Sequence, residues 1–303
     1  ANTSATPQNA CSIDPHQIFS PPVAAAVVAD PELMTSQTRT LTLLFADLRQ
    51  FTSLSSRLSP RDSYHLLGEV LEAFTDEVMR RDGVAIDYYG DGLCALWNAP
   101  LADPNHGDAG CNAALAMVEA LPEISRRWAD RLPGTLDVRI GVHTGAAQVG
   151  NSGTRRRFKY GPRGLAVHLA SRVETAAKYL DIPVLITDAT RRQLSTNFFS
   201  LRVCRAALPG FAEPYALYAV YRATRAQQLR DKLDDYARAL AYFEAGDFDQ
   251  AEKLLDRLAS EPQLAPAGFL AEHAAALRLG RLGRRATDDL GDGPDAIIEI
   301  LAK

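Results

Sequence analysis

A short apolar run that finishes on an acid constrains this chain more than any other stretch. "LTLLFAD", residues 41–47, has the length and the leucine and phenylalanine content of a buried strand, and it ends on Asp47. A carboxylate where a strand leaves the core is either solvated or holding something. Downstream, "VAIDYYGDGLCALW" (84–97) consists of two β-prone runs around Gly-Asp-Gly, a hairpin signal whose turn carries a second acid, Asp91. On neighbouring strands the two acids would meet, and paired carboxylates suit hard divalent cations that also take phosphate oxygens. The purely local alternative stays open, because Asp is common at strand ends and in Asp-Gly turns.

The segments around these acids alternate in type. Leu67, Val70, Leu71, Phe74 and Val78 recur at helical spacing, and 108–130 is also helical in character. "LDVRIGVHTG" alternates as a strand does, "AAQVGN" and "RRRFKYG" form a second hairpin with a basic tip, and "GLAVHLASRVETAAKYL" is an amphipathic helix. "PVLITD" and "PYALYAVY" add strands. The pattern predicts an α+β fold of the α/β sandwich type. After Asp47, "LRQFTS" leads into a helix start, where the free N–H groups of Phe51 and Thr52 would face an anion.

At 303 residues the chain is long enough for more than one unit. Residues 1–38 read as a partly helical lead-in, 39–222 as the main domain, and 223–303 as a helical segment. There, "YARALAYFEAGDFDQAEKLLDRL" pairs two amphipathic helices across a Gly-Asp turn in a tetratricopeptide-like pattern. A net charge of −4 gives no basic excess for a nucleic-acid surface. The longest aliphatic run, Val23 to Ala29, is far shorter than the roughly 18–20 residues of a membrane helix. Cys11, Cys94, Cys111 and Cys204 show no ligand or disulfide spacing, which fits a reducing, cytoplasmic setting. The chain begins on alanine, which leaves room for an upstream sensor or tether.

Four stretches in order, "TLLFADLRQFTSLSSRLSP", "YYGDGLCALWNAPLADPNHGDAGCNAAL", "RIGVHTGAAQVGN" and "KYGPRGLAVHLASRVE", resemble the catalytic domain of the class III nucleotidyl cyclases, the adenylate and guanylate cyclase superfamily. The resemblance covers about residues 38–221. It implies a ferredoxin-like βαββαβ core, a head-to-tail homodimer with active sites at the interface, and two Mg²⁺ or Mn²⁺ ions. Asp47 and Asp91 fall on the metal-binding aspartates, with the Leu48 carbonyl as a further ligand. Phe51 and Thr52 match the positions whose amides hold the β and γ phosphates. Arg172 matches the arginine that stabilises the transferring phosphoryl group in the other subunit's site.

The sequence departs from the adenylate cyclase pattern at four places. Asp87 stands where a lysine would read adenine, and Gly161 where an aspartate or threonine would accept from the adenine amino group. An ionised carboxylate is acceptor-only and matches the N1–H and N2–H₂ donors of guanine, so GTP is the expected substrate, with ATP as the alternative. His168 replaces the asparagine that orients the ribose. Pro209 stands where a phosphate-binding lysine belongs, leaving Lys159 or the Arg155 to Arg157 cluster as substitutes. These losses also admit a pseudo-cyclase that serves as a regulatory or scaffold partner, and the helical tail is a candidate receiver of an upstream signal.

Overall fold

The computed structural model describes residues 19–132, 134–154, 159–224, 229–261, 264–279 and 297–300. Cys11 and the Arg155 to Arg157 cluster lie outside them. The ferredoxin-like core runs β1 (Gln37–Leu48), a short α2 (Phe51–Ser55), α3 (Pro60–Met79), β2 (Val84–Tyr89), β3 (Gly92–Trp97), α4 (His106–Arg127) and β4 (Val138–Asn151). These four strands lie in the order β2-β3-β1-β4, all antiparallel. The long helix α3 starts where the sequence favours a start. Ser59 caps it by accepting from Asp62 N at 3.1 Å, and Pro60 follows at the first turn, where its missing N–H costs nothing.

Beyond β4 the chain makes β5 (Tyr160–Arg163), which folds back on β4, then α5 (Leu165–Tyr179), which crosses to a parallel β6 (Val184–Thr187). A short α6 (Asp188–Arg191) precedes β7 (Phe198–Ala207) and β8 (Tyr215–Arg222), and these extend the sheet to β2-β3-β1-β4-β6-β8-β7. The two faces of the sheet are set by strand alternation. In β1, Leu44, Ala46 and Leu48 pack with α3 and α4, while Leu41, Leu43 and Phe45 pack on the opposite face. Asp47 shares the parity of the second group and therefore opens on the face that carries α5.

The expected segment boundaries are not breaks in packing. Helix α1 (Pro21–Ala29), in the lead-in, buries Val23, Ala24 and Val27 together with Leu41, Leu43, Val149 and Ala166. At the other end, α7 (Arg230–Glu244), α8 (Phe248–Leu258) and α9 (Ala265–Arg278) share one core with α5, β7 and β8, in which Tyr236, Phe243 and Leu255 touch the same apolar mass as Val173, Val203 and Leu217. The tail is helical as expected, and it adds one element the sequence reading left out. A three-residue β9 (Ile297–Glu299) pairs parallel with β7, Ile297 opposite Arg205, at the sheet edge. Among the described residues, no helix is long and apolar enough to cross a membrane.

Candidate active site

The β1–β3 register brings the two acids together. Asp47 lies opposite Gly92, so Asp91, in the two-residue turn just before Gly92, reaches the same end of the strand pair. The approach is close enough to require glycine at 92. A Cβ there would stand 2.8 Å from the Ala46 carbonyl oxygen and 3.1 Å from Asp47 Oδ1. Burial, and then the charge of Asp47, push the Asp91 carboxyl above the usual carboxylate range, which shows two acids competing for one electrostatic space.

Two further residues complete this corner, and the sequence reading did not find them. Lys178 forms ion pairs with Asp47 Oδ2 and, at 2.9 Å, with Glu174 Oε1. Helix α5 delivers both from one face, since residues four apart stack on a helix. It can do so because it sits directly on β4 at Gly141, where a Cβ would come within 2.1 Å of the Glu174 backbone nitrogen. Burial pushes the Glu174 carboxyl up even against the lowering effect of Lys178. Burial alone would lower the Lys178 ammonium, but hydrogen bonds to Asp47 and Glu174 hold it above the usual lysine value. The only sequence signal was the Glu-x-x-x-Lys spacing, which most often marks a solvated helix face.

The donor set fits small hard cations. Among the described residues no group of three or more His, Cys, Asp and Glu side chains stands in ligand geometry. Two carboxylates plus a strand-end carbonyl at Leu48 are instead what Mg²⁺ accepts when substrate phosphates and water fill the remaining positions. That the corner already holds an ammonium on Asp47 shows its demand for positive charge. Next to it, Gln50 takes the left-handed conformation (φ 54°) and α2 begins at Phe51 with no side-chain cap. The first-turn amides of Phe51 and Thr52 have no acceptor within the helix and lie three to four residues beyond the carbonyl of Leu48.

Asp87 and Gly161 also come together. A bulge at Ile86 sets Asp87 opposite Cys94. Tyr88 turns to the other face, where its hydroxyl meets Thr75 Oγ1 at 2.8 Å. A Cβ at Gly161 would stand 3.0 Å from Ile86 Cγ2, so β5 borders the stretch of β2 that carries Asp87. Lys159 forms an ion pair with Asp87 Oδ2. Lys159, one of the expected substitutes for the phosphate lysine, is thus paired with the acid expected to meet the base. Pro209 lies in the β7–β8 connection, followed by Gly210 at φ 87°.

Arg172 and His168 are not gathered into this corner. At about 100° per residue, α5 aims Arg172 about 160° and His168 about 120° away from Glu174, the residue that shares Lys178 with Asp47. His168 is exposed and Arg172 half-buried on that other side.

Comparison with known proteins identifies the family. Residues 33–212 match the family described as the Adenylate and Guanylate cyclase catalytic domain. Adenylate cyclase 1 of Rhizobium meliloti (strain 1021) is 37% identical over 154 residues, which is 50% of this chain and 23% of that protein. The chain thus spans under a quarter of the length of that curated relative. Among solved structures, the adenylyl cyclase CyaB from P. aeruginosa superposes with TM-score 0.58 at 26% identity, covering 62% of this chain and 96% of that one. A guanylyl cyclase superposes with TM-score 0.56, also at 26% identity, covering 62% and 94%. With the fold, the convergent aspartates and a family match over more than half its length, this chain belongs to the adenylate and guanylate cyclase catalytic domain family.

Proposed function

We propose that this chain converts a purine nucleoside triphosphate, GTP in preference to ATP, into the 3′,5′-cyclic monophosphate and pyrophosphate, as a homodimer with shared sites. The observation that carries this reading is the convergence of Asp47 and Asp91 at one end of the β1–β3 pair, beside the uncapped start of α2. Asp47, Asp91 and the Leu48 carbonyl would hold two divalent cations, Mg²⁺ or Mn²⁺. When bound, these supply Lewis acidity at the α-phosphoryl group and favour loss of the ribose 3′ proton.

The protein's own groups position and neutralise charge. The Phe51 and Thr52 amides hold the β and γ phosphates. Arg172, aimed away from its own Asp47, stabilises charge on the phosphoryl group in the partner's site. His168, one turn earlier on the same side, donates one hydrogen bond to orient the ribose. The bond from the 3′ oxygen to the α-phosphorus forms as the bond to pyrophosphate breaks, and the 3′ proton leaves to solvent. Asp87, an acceptor without donors, favours guanine.

A second reading takes ATP as substrate, and the name of the Rhizobium meliloti relative favours it. Incubation with Mn²⁺ and an equimolar mixture of ATP, GTP, CTP and UTP, followed by mass spectrometry, decides between them. Cyclic GMP that disappears in Asp47→Asn supports the proposal, and cyclic AMP supports the second reading. No cyclic product from any nucleotide rejects both and leaves an inactive partner of another cyclase.

A further inference from the structure

We infer that Lys159 is a specificity-determining residue that reads the purine O6 atom, acting with Asp87 as one donor–acceptor pair. The inference rests on the guanine reading of the site and adds the half that Asp87 cannot supply. The hydrogen-bonding edge of guanine presents N2–H₂ and N1–H as donors and O6 as an acceptor, side by side. A carboxylate satisfies the first two and leaves O6 without a donor. At Gly161, where the family places its second base-reading side chain, this chain offers none.

The structure puts a donor in that gap from a different position. Lys159 immediately precedes β5, two residues before Gly161, so continued alternation puts its side chain on the face that a side chain at 161 would take. The Lys159 ammonium lies against Asp87 Oδ2. Its backbone is fixed on both sides. Its carbonyl accepts from Ser152 N at 2.7 Å and from Ser152 Oγ at 3.0 Å, and its own N–H donates to Asn151 Oδ1 at 3.3 Å. Asp87 is held as well, since Tyr88 N–H donates to its Oδ1 at 3.1 Å. Each carboxylate oxygen keeps a second lone pair for the base, and the ammonium keeps two further N–H donors.

The two side chains are each about half-exposed, so the pair stands open to a ligand (40% for Lys159, 51% for Asp87). An ordinary surface ion pair would contribute little to anything. This pair differs because one member occupies the base-reading position and the other sits on a pinned backbone beside the glycine that vacates the second such position. A guanine edge can be taken up without breaking the pair: Asp87 accepts from N1–H and N2–H₂ while Lys159 donates to O6. Adenine, with an acceptor at N1 and a donor at N6, presents the reverse order to the same pair.

The test uses the full chain with Mn²⁺. Values of kcat/KM are measured for GTP, for inosine triphosphate, which lacks the 2-amino group, and for 6-thio-GTP, whose sulfur is a poor acceptor. The affinity for 3′-deoxy-GTP, which cannot cyclise, is measured by calorimetry. The wild type is expected to prefer GTP over both analogues. Lys159→Met is expected to lose about tenfold on GTP, the scale set by leaving a polar base atom unmatched, and to erase the preference over 6-thio-GTP. Its preference for GTP over inosine triphosphate, which Asp87 supplies, should persist, and Lys159→Arg should restore part of the loss.

Unchanged GTP to 6-thio-GTP ratios and unchanged 3′-deoxy-GTP affinity in Lys159→Met overturn the inference, as does a wild type that selects ATP. A wild type that makes no cyclic product but binds 3′-deoxy-GTP in a Lys159-dependent way rejects the cyclase reading and upholds the base-reading role. A protein that binds no nucleotide rejects both.

Discussion

The ammonium of Lys178 rests on the carboxylate of Asp47, the acid at the end of β1 that would also hold a catalytic cation. An ammonium and a divalent cation on one carboxylate oxygen repel each other, so the lysine acts as a tethered competitor that neutralises the corner when no metal is present. Metal entry then requires it to swing aside, and the four rotatable bonds of its stem permit that.

Lys178→Met is therefore expected to bind Mn²⁺ more tightly in the absence of nucleotide. The ion pair is half-exposed on the lysine side, so a gain of about three- to fivefold is expected rather than orders of magnitude. Electron paramagnetic resonance of free Mn²⁺ reads it directly. The metal-free protein should also melt at a lower temperature than wild type, because Asp47, Asp91 and Glu174 lose their shared cation, and Mn²⁺ should recover more of the loss. Weaker or equal Mn²⁺ binding in the variant would mean that Lys178 supports the metal site instead of competing with it.

If α5 carries Arg172 to the partner's site, two inactive variants should complement each other. Arg172→Ala alone is expected to lose about 10²- to 10³-fold in kcat, as removal of one charge-stabilising donor does, and Asp47→Asn to be inactive. Mixed and allowed to exchange, they form heterodimers with one intact site and one doubly damaged site. Random pairing of equal amounts makes half the dimers mixed, so activity should return to about a quarter of wild type. No recovery after subunit exchange, verified by differently tagged chains, would place Arg172 in its own subunit's site.

The first half of the site was legible in the sequence because it is local. An apolar run ending at Asp47 and a Gly-Asp-Gly turn at Asp91 each announce an element and the position of an acid on it, and antiparallel pairing does the rest. Lys178 and Glu174 were not legible as members of this corner, nor was the pairing of Lys159 with Asp87, since these come from contacts between elements. Glu174 and Lys178 reach Asp47 only because α5 seats on Gly141, and nothing in the helix sequence states where a helix will sit. The packing of the end segments was hidden for a related reason. The lead-in and tail look like separate pieces by composition, yet α1 and α7–α9 bury residues in the same cores as the sheet. Strand β9 is too short to show periodicity, and its pairing partner is some ninety residues away.

Acid should destabilise this fold through its buried histidines. His143, on β4, is 7% exposed and shares a 2.9 Å hydrogen bond with Thr187 Oγ1, and burial lowers its pKa to about 4. Its folded pKa is thus below the unfolded value near 6.5, so the unfolded chain takes up a proton first as pH falls. Stability is fully present above 6.5, declines between 6.5 and about 4, and has lost the whole contribution below that. The loss is at most about 3 kcal/mol. His106, also lowered by burial and paired with Thr42 Oγ1 at 2.7 Å, acts in the same direction. Urea melts of His143→Asn should show a flatter dependence on pH across that window than wild type, even if the variant is less stable at pH 7. An identical slope would remove His143 as the source.

The shared core at the far end of the sheet makes a stronger claim about the tail than its helical pattern did. Phe243 of α7 is fully buried, its ring 5.7 Å from that of Phe248 on α8, within the cluster that also contains Val173 of α5 and Val203 of β7. Truncating it to alanine should cost about 3–5 kcal/mol, the usual range for a buried phenylalanine. Because α7–α9 and the far end of the sheet share one apolar mass, that loss should appear as a shift of a single unfolding transition followed both by far-UV circular dichroism and, in a Trp128→Phe background, by the fluorescence of Trp97, which is buried in the other half of the sheet. Deleting residues 225–303 would expose the same surface on α5, β7 and β8, so a poorly soluble protein is expected rather than a clean monomer. A Phe243→Ala protein in which the tail melts first, with Trp97 reporting an unshifted transition, would show instead that the helices are an independent attachment.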